Sequence, residues 1–234
     1  MTPLVDTGPA PGDVRPAAAW SVVLPVESFE YAKPDLAAVA GYHRRELAHA
    51  FFLDTLRAVR ATACVGLVVV ATRDPLAARQ ARTLGAVTGH VPPRADVRET
   101  VRRGVATAAG LVPAAPVCVL AADLPTLRPS ELHQVLTVAR MHPRTFVPDR
   151  SGRGVTALTS GCPRAVDPAF GSGACGQQRR GGALELTCRG TVGLRLDVDA
   201  PGDLVTAHLR GLGPFTRGIL GTWVHPSPTP ATAR

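Results

Sequence analysis

The chain has 234 residues, enough for one substantial core and too few for two ordinary domains. Hydrophobic residues make up 45% of it, yet no apolar run approaches the length of a membrane span, which argues against a membrane protein. Its 26 basic and 18 acidic residues leave a net charge of +8, but the arginines are scattered and aromatics are sparse, so dedicated nucleic-acid binding ranks second, and a field that gathers phosphorylated metabolites fits the charge equally well.

Residues 1–18 are rich in Pro, Ala and Gly without periodicity and read as a disordered leader. No basic stretch leads into an apolar one there, so no secretory signal is expected and the cytoplasm is the expected location. Trp20 to Pro25 reads as a short apolar strand. Tyr42 to Arg60 has apolar residues at helical spacing, and Cys64 to Ala71 is β-rich and almost wholly apolar, as a strand covered on both faces should be. Pro75 to Leu84 is helical with proline in its first turn, and Ala86 to His90 is a short strand. Asp96 to Leu111 is a helix with Asp96 as N-cap and Glu99 three residues later.

Val117 to Ala121 is the next strand and Pro129 to Arg140 the next helix. Thr145 to Pro148 and Val155 to Thr159 flank the turn Asp149 to Gly154. The glycine-rich stretch Phe170 to Gly176 precedes a helix expected to end near Gly190. Val192 to Leu196 is expected as the last strand and Asp203 to Leu212 as the last helix. Repeated βα units predict an α/β fold, a mostly parallel sheet with helices on both faces. The ordered chain is expected over 19–221 as one domain, with 222–234 a disordered, proline-rich tail. Five cysteines with no C-x-x-C pair argue against a disulfide framework and a structural zinc site.

Two acidic turns stand out. Cys118-Val119-Leu120-Ala121-Ala122-Asp123-Leu124-Pro125 and Leu194-Arg195-Leu196-Asp197-Val198-Asp199-Ala200-Pro201 each end a strand-like run in aspartate. Open α/β sheets bind ligands at the carboxyl ends of their strands, and magnesium is satisfied by a few carboxylates plus substrate phosphates. Asp123 is a candidate ligand or a turn residue bonding its own backbone. Asp199, ahead of Pro201 and Asp203, reads as a helix N-cap, which leaves Asp197 as the better second ligand. Lys33 is the only lysine, either a phosphate grip or a solvated side chain. Gly152, Gly154 and Thr156 could form one anion cradle, and the loop from Phe170 to Gly173 a second. The seven histidines form no cluster.

Taken in order, these segments resemble the guanylyltransferase family that activates 2-phospho-L-lactate or phosphoenolpyruvate in coenzyme F-420 biosynthesis. The resemblance runs from about Trp20 to about Leu212. It rests on Leu24-Pro25-Val26 with Ala32-Lys33, on Arg45-Glu46-Leu47-Ala48 leading to Leu53-Asp54, and on Ala122-Asp123-Leu124-Pro125. It continues with Gly154-Val155-Thr156-Ala157-Leu158 followed by Phe170-Gly171, and with Asp197-Val198-Asp199-Ala200-Pro201-Gly202-Asp203-Leu204.

The resemblance implies a three-layer α/β/α Rossmann-like sandwich of the nucleotide-diphospho-sugar transferase type, with residues 19–221 as the nucleotidyltransferase domain. It implies GTP and a phosphorylated three-carbon acid as substrates and Mg2+ as cofactor, held by Asp123 and Asp197 with Asp199 nearby. Lys33 would grip phosphate, and Thr156 and Gly171, with Gly154 and Ala174 beside them, would meet the acid. A homodimer and a handover to the downstream transferase of the pathway are compatible with it.

The chain departs from the family pattern where phosphate-binding cations are expected: Glu27 replaces a lysine and Asp35 an arginine. Ala174 stands for a serine, Gln178 for a histidine, and Arg94-Ala95-Asp96 for a glycine-leucine-asparagine turn. A like-charge contact at ~4 Å in an effective dielectric of 20 costs about 4 kcal/mol. Either other arginines such as Arg44, Arg45, Arg73 or Arg153 compensate, or the chain is an impaired or repurposed homologue that binds a nucleotide or a partner enzyme.

Overall fold

Successive side chains of the apolar strands point to opposite faces, and here both faces are covered. In the computed structural model, which describes residues 19–224, β1 (Trp20–Val26) and β2 (Val65–Thr72) lie parallel with Leu24 beside Val70. Val22, Leu24, Val68 and Val70 face one core, while Val23, Val69 and Ala71 face another. β3 (Val87–His90) and β4 (Val117–Leu120) extend the parallel set on either side. β6 (Val155–Ser160) then pairs antiparallel with β4 and with β5 (Arg144–Pro148), and β7 (Leu184–Glu185) joins β5 in parallel. The sheet order is β3-β2-β1-β4-β6-β5-β7, mostly parallel, as the alternating pattern predicts.

The helices cover both faces. After the short α1 (Ala37–Ala40), α2 (Arg44–Arg60), α3 (Pro75–Thr83) and α5 (Pro129–Ala139) bury Phe52, Leu56, Ala77, Leu132 and Leu136 in the first core. On the opposite face α4 (Val97–Leu111) inserts Val101, Val105 and Ala108 into the second. Asp96 caps it as expected, accepting from the Glu99 amide at 2.8 Å, a contact worth about 1 kcal/mol. A third cluster packs Leu204 and Ala207 of α7 (Pro201–Arg210) against Leu47 and Phe51 of α2.

Three expectations are corrected. Gly193–Arg195 is a 3-10 turn rather than part of a strand, because Gly193 docks its amide on the Glu131 carboxylate at 2.9 Å. The helix after the glycine-rich loop, α6 (Cys175–Arg180), stops at Gly181-Gly182 instead of running to Gly190, and the chain turns there to form β7. A further helix, α8 (Pro214–Val224), follows α7 and carries ordered structure into the start of the segment read as a tail. Its first amides, Phe215 and Thr216, donate to the two oxygens of Asp54 on α2 at 3.0 and 2.9 Å. The expected leader, 1–18, and residues 225–234 of the expected tail lie outside the described residues.

Candidate active site

The strand order reverses direction between β1 and β4, and the loops that leave their carboxyl ends open into one cavity, as the switch point of a parallel sheet requires. The loop after β1 is held at both ends. Asp74, which caps α3 with one carboxylate oxygen, accepts from the Phe29 amide at 3.0 Å and the Ser28 hydroxyl at 3.3 Å with the other. Arg44, at the start of α2, donates to the carbonyls of Ala32 at 2.6 Å and Glu30 at 2.7 Å.

Between these anchors and α1, Lys33 adopts φ 55° and ψ 52°, a left-handed conformation that costs a side-chain-bearing residue about 1 kcal/mol. Its ammonium contacts the carboxylate of Asp123 and reaches Asp199 Oδ1 at 2.5 Å. Burial by itself pushes the Lys33 ammonium toward deprotonation. The two carboxylates outweigh that and raise its pKa above the usual lysine value, so the lysine stays charged.

The second side of the site is main chain. The Val198 amide donates to the Asp123 carbonyl at 3.2 Å, which joins the two acidic turns. The Leu124 amide donates to the hydroxyl of the fully buried Thr55 at 2.9 Å, which fixes the first turn to α2. Asp197 is pushed up to about 8, first by burial and then by the charges of Asp123, Asp199 and Asp149. Asp199 is not the N-cap of α7. Ala200 holds that position, and Asp203 accepts from the Ala200 amide at 3.0 Å and the Asp199 amide at 3.3 Å. The side chain of Asp199 is thereby free to meet Lys33.

The cavity has a volume of about 550 Å³ and gathers Lys33, Asp123, Asp197, Asp199 and Gly171 on its wall. Glu27 and Asp35 line it too, so among the described residues five carboxylates and one ammonium face it. Thr156, Gly154 and Ala174 do not line it. Thr156 is fully buried in β6 and its hydroxyl donates to the Val147 carbonyl at 3.4 Å. The amides of Gly154 and Arg153 donate to the Asp149 carboxylate at 3.0 and 3.1 Å, so the expected cradle at that turn is filled by its own aspartate. Ala174 is buried at the start of α6. Gln178 is buried behind it and donates to the Ala169 carbonyl at 2.7 Å.

The candidate replacement arginines do not line the cavity either. Arg44 spends its guanidinium on loop carbonyls, Arg45 pairs with Glu30 at 2.9 Å, and Arg73 donates to the Pro93 carbonyl. The anchoring roles of Arg44, Thr55 and Asp74 have no local sequence signal, because each acts on a segment distant in the chain.

A cluster of oxygen donors around one bound positive charge suits a hard cation. Among the described residues no three acidic, histidine or cysteine side chains converge tightly enough to cage a metal. Magnesium does not need such a cage, since it takes one or two carboxylates, keeps several waters and uses substrate phosphates. Asp123 and Asp199 already share one cation, and Asp197 lines the same cavity. These residues fit a divalent ion.

No protein-family model matches the chain. It is 40% identical over 217 residues to the phosphoenolpyruvate guanylyltransferase of Thermomonospora curvata, covering 92% of this chain and 94% of that protein. It is 41% identical over 204 residues to the enzyme of the same name from Streptomyces scabiei, covering 84% and 94%. Among solved structures, a protein from Desulfovibrio desulfuricans G20 described as a nucleotide-diphospho-sugar transferase superposes with a TM-score of 0.63 at 16% identity, over 86% of this chain and 94% of that one. The 4-diphosphocytidyl-2C-methyl-D-erythritol synthase of Anaerococcus prevotii does so with a TM-score of 0.54 at 10% identity, over 82% and 96%. The fold is therefore that of the nucleotide-diphospho-sugar transferases, and the chain is a nucleotidyltransferase that belongs to the phosphoenolpyruvate guanylyltransferase family.

Proposed function

We propose that this enzyme transfers GMP from GTP to phosphoenolpyruvate and releases pyrophosphate, as the activation step of coenzyme F-420 biosynthesis, with 2-phospho-L-lactate as the alternative acid. The observation that carries the reading is the pairing of Asp123 and Asp199 around a single cation on the wall of a cavity located at the sheet's switch point. The likeness to relatives named for guanylyl transfer to phosphoenolpyruvate supports the choice of substrates.

In the proposed reaction a phosphate oxygen of the acid bonds to the α-phosphorus of GTP, and the bond from that phosphorus to the β-phosphate oxygen breaks. A phosphate dianion is already a nucleophile, so no side chain has to remove a proton. Lys33 presents the point charge that holds and orients a phosphate, and the Gly171 backbone on the same cavity wall lets the acid approach without a side chain in the way. Magnesium, held by Asp123 and Asp197 with Asp199 nearby, would supply the positive charge that offsets the charge developing on the phosphates. The acid so activated is expected to pass to the downstream transferase, in the cytoplasm. No helix among the described residues is long and apolar enough to cross a membrane.

The test is magnesium-dependent pyrophosphate release from GTP with phosphoenolpyruvate, 2-phospho-L-lactate or 3-phosphoglycerate as acceptor. Release that requires phosphoenolpyruvate supports the proposal. The five carboxylates on the cavity wall favour one other reading, a scaffold that binds a nucleotide or a partner enzyme without turning over. That reading predicts no release with any acceptor from folded protein.

A further inference from the structure

We propose that Lys33 is an exchangeable internal cation. Its ammonium closes the Asp123 and Asp199 carboxylates in the metal-free protein, Arg44 positions it there, and its release and metal entry are one coupled event. The inference rests on the reading of Asp123 as a metal ligand with Asp199 nearby.

Three observations carry it. Lys33 Nζ sits on oxygens from two separate turns, the same hard donors that a divalent ion would take. A metal and an ammonium cannot both occupy that place, since like charges at such separations repel strongly in a partly buried site. The loop that delivers Lys33 is also fixed in an unfavourable shape. Arg44 grips the carbonyls of Glu30 and Ala32, and Lys33 keeps a left-handed backbone, which persists only where the surroundings over-determine it. Finally, the Lys33 side chain is only 11% exposed, and it is the one cation among the described residues that faces the cavity. Once displaced from Asp123 and Asp199, the ammonium needs another anion, and the phosphate dianion of the acid competes for it with Glu27 and Asp35 on the cavity wall.

The consequence is cooperativity between the metal and the phosphorylated acid. Acid that captures Lys33 frees the carboxylates, and metal that captures the carboxylates frees Lys33. Such coupling is reciprocal and is usually worth about 5- to 150-fold in affinity. Arg44 is a positioning residue in this scheme, because it touches neither ligand and acts through the loop.

The experiment titrates Mn2+ against the nucleotide-free protein by electron paramagnetic resonance, with and without phosphoenolpyruvate, after correction for Mn2+ held by the acid in buffer. Wild type should bind weakly alone and at least about 5-fold more tightly with the acid. Lys33→Met should bind about tenfold more tightly than wild type without the acid and gain nothing from it. Lys33→Arg, which keeps a cation on the loop, should retain the weak resting affinity. Arg44→Ala should tighten resting binding in wild type and have no further effect in the Lys33→Met background.

Equal resting affinities of wild type and Lys33→Met, both shown folded by circular dichroism, would overturn the exchange. Acid-dependent tightening that survives in Lys33→Met would overturn it as well. Adding GTP separates metal binding from the exchange. If neither protein binds Mn2+ even then, the metal reading falls and the exchange falls with it. If both bind with GTP and equally without it, only the exchange falls.

Discussion

The Val198 amide donates to the Asp123 carbonyl at 3.2 Å, so two acidic turns far apart in sequence are joined through main chain and not merely brought near each other. The relative position of the two turns is therefore set by backbone, which a conservative side-chain change leaves alone. Asp123→Asn should keep the native circular dichroism spectrum and lower kcat for pyrophosphate release at least about a hundredfold, the usual cost of removing one well-placed electrostatic group. Activity within tenfold of wild type would remove Asp123 from the site.

Asp197 gives the site a pH signature. Burial and its acidic neighbours push it up to about 8, above the ordinary carboxylate value near 3.8. The folded protein thus holds a proton that the unfolded chain has lost. Its contribution to stability is complete below the unfolded pKa, declines as pH rises, and is gone once pH passes about 8. In chelator, the Tm of wild type should fall across that window. Asp197→Asn should remove this component, so that its Tm exceeds that of wild type by a margin that grows up to about pH 8, while its magnesium-dependent activity is lost. A margin independent of pH would contradict the assignment.

Gly104 sets how closely α4 lies on the sheet. A Cβ there would stand 2.4 Å from Val23 Cγ1 and 2.9 Å from Ala71 Cβ, both on buried strands. Alanine in a helix interior gains about 1 kcal/mol over glycine. Overpacking a tight core costs about 1–3 kcal/mol, and a 2.4 Å approach lies at the severe end. Gly104→Ala should therefore destabilise by about 1–2 kcal/mol net in urea unfolding, without an effect on KM. A stabilised variant would show that the helix can lift off the sheet freely.

The parts of the fold visible in the sequence are those whose cause is local. Val68, Val70 and Val69 announce a two-sided strand by themselves, and Asp96 with Glu99 announces a helix start. What escaped has a distant cause. α8 is capped by Asp54, which lies on another helix, so no residue near Pro214 signals its start beyond the proline. Val192, Leu194 and Leu196 alternate like a strand, yet Gly193 is drawn onto Glu131 and coils the segment. At Asp199-Ala200-Pro201-Gly202-Asp203 the spacing admits two cap positions. Asp203 reaches back to Ala200, and that releases Asp199 for the site. In the same way Gly154 reads as an open cradle until Asp149 is seen to fill it.

Thr55 shows how such a distant contact can be tested. Its hydroxyl donates to the Phe51 carbonyl at 2.8 Å and accepts from the Leu124 amide at 2.9 Å, and it is fully buried. Thr55→Val keeps the shape and removes the acceptor, leaving the Leu124 amide buried without a partner at a cost of about 1–3 kcal/mol. Because Leu124 follows Asp123, relaxation of that amide should also shift the carboxylate. The expected result is a loss of stability like that of Gly104→Ala together with a fall in kcat that Gly104→Ala lacks. Thr55→Ser, which restores the acceptor, should recover kcat ahead of stability, since it regains the hydrogen bond but not the buried methyl. If Thr55→Val lowers stability alone, the Asp123 turn is held well enough by Val198, and α2 serves the fold rather than the chemistry.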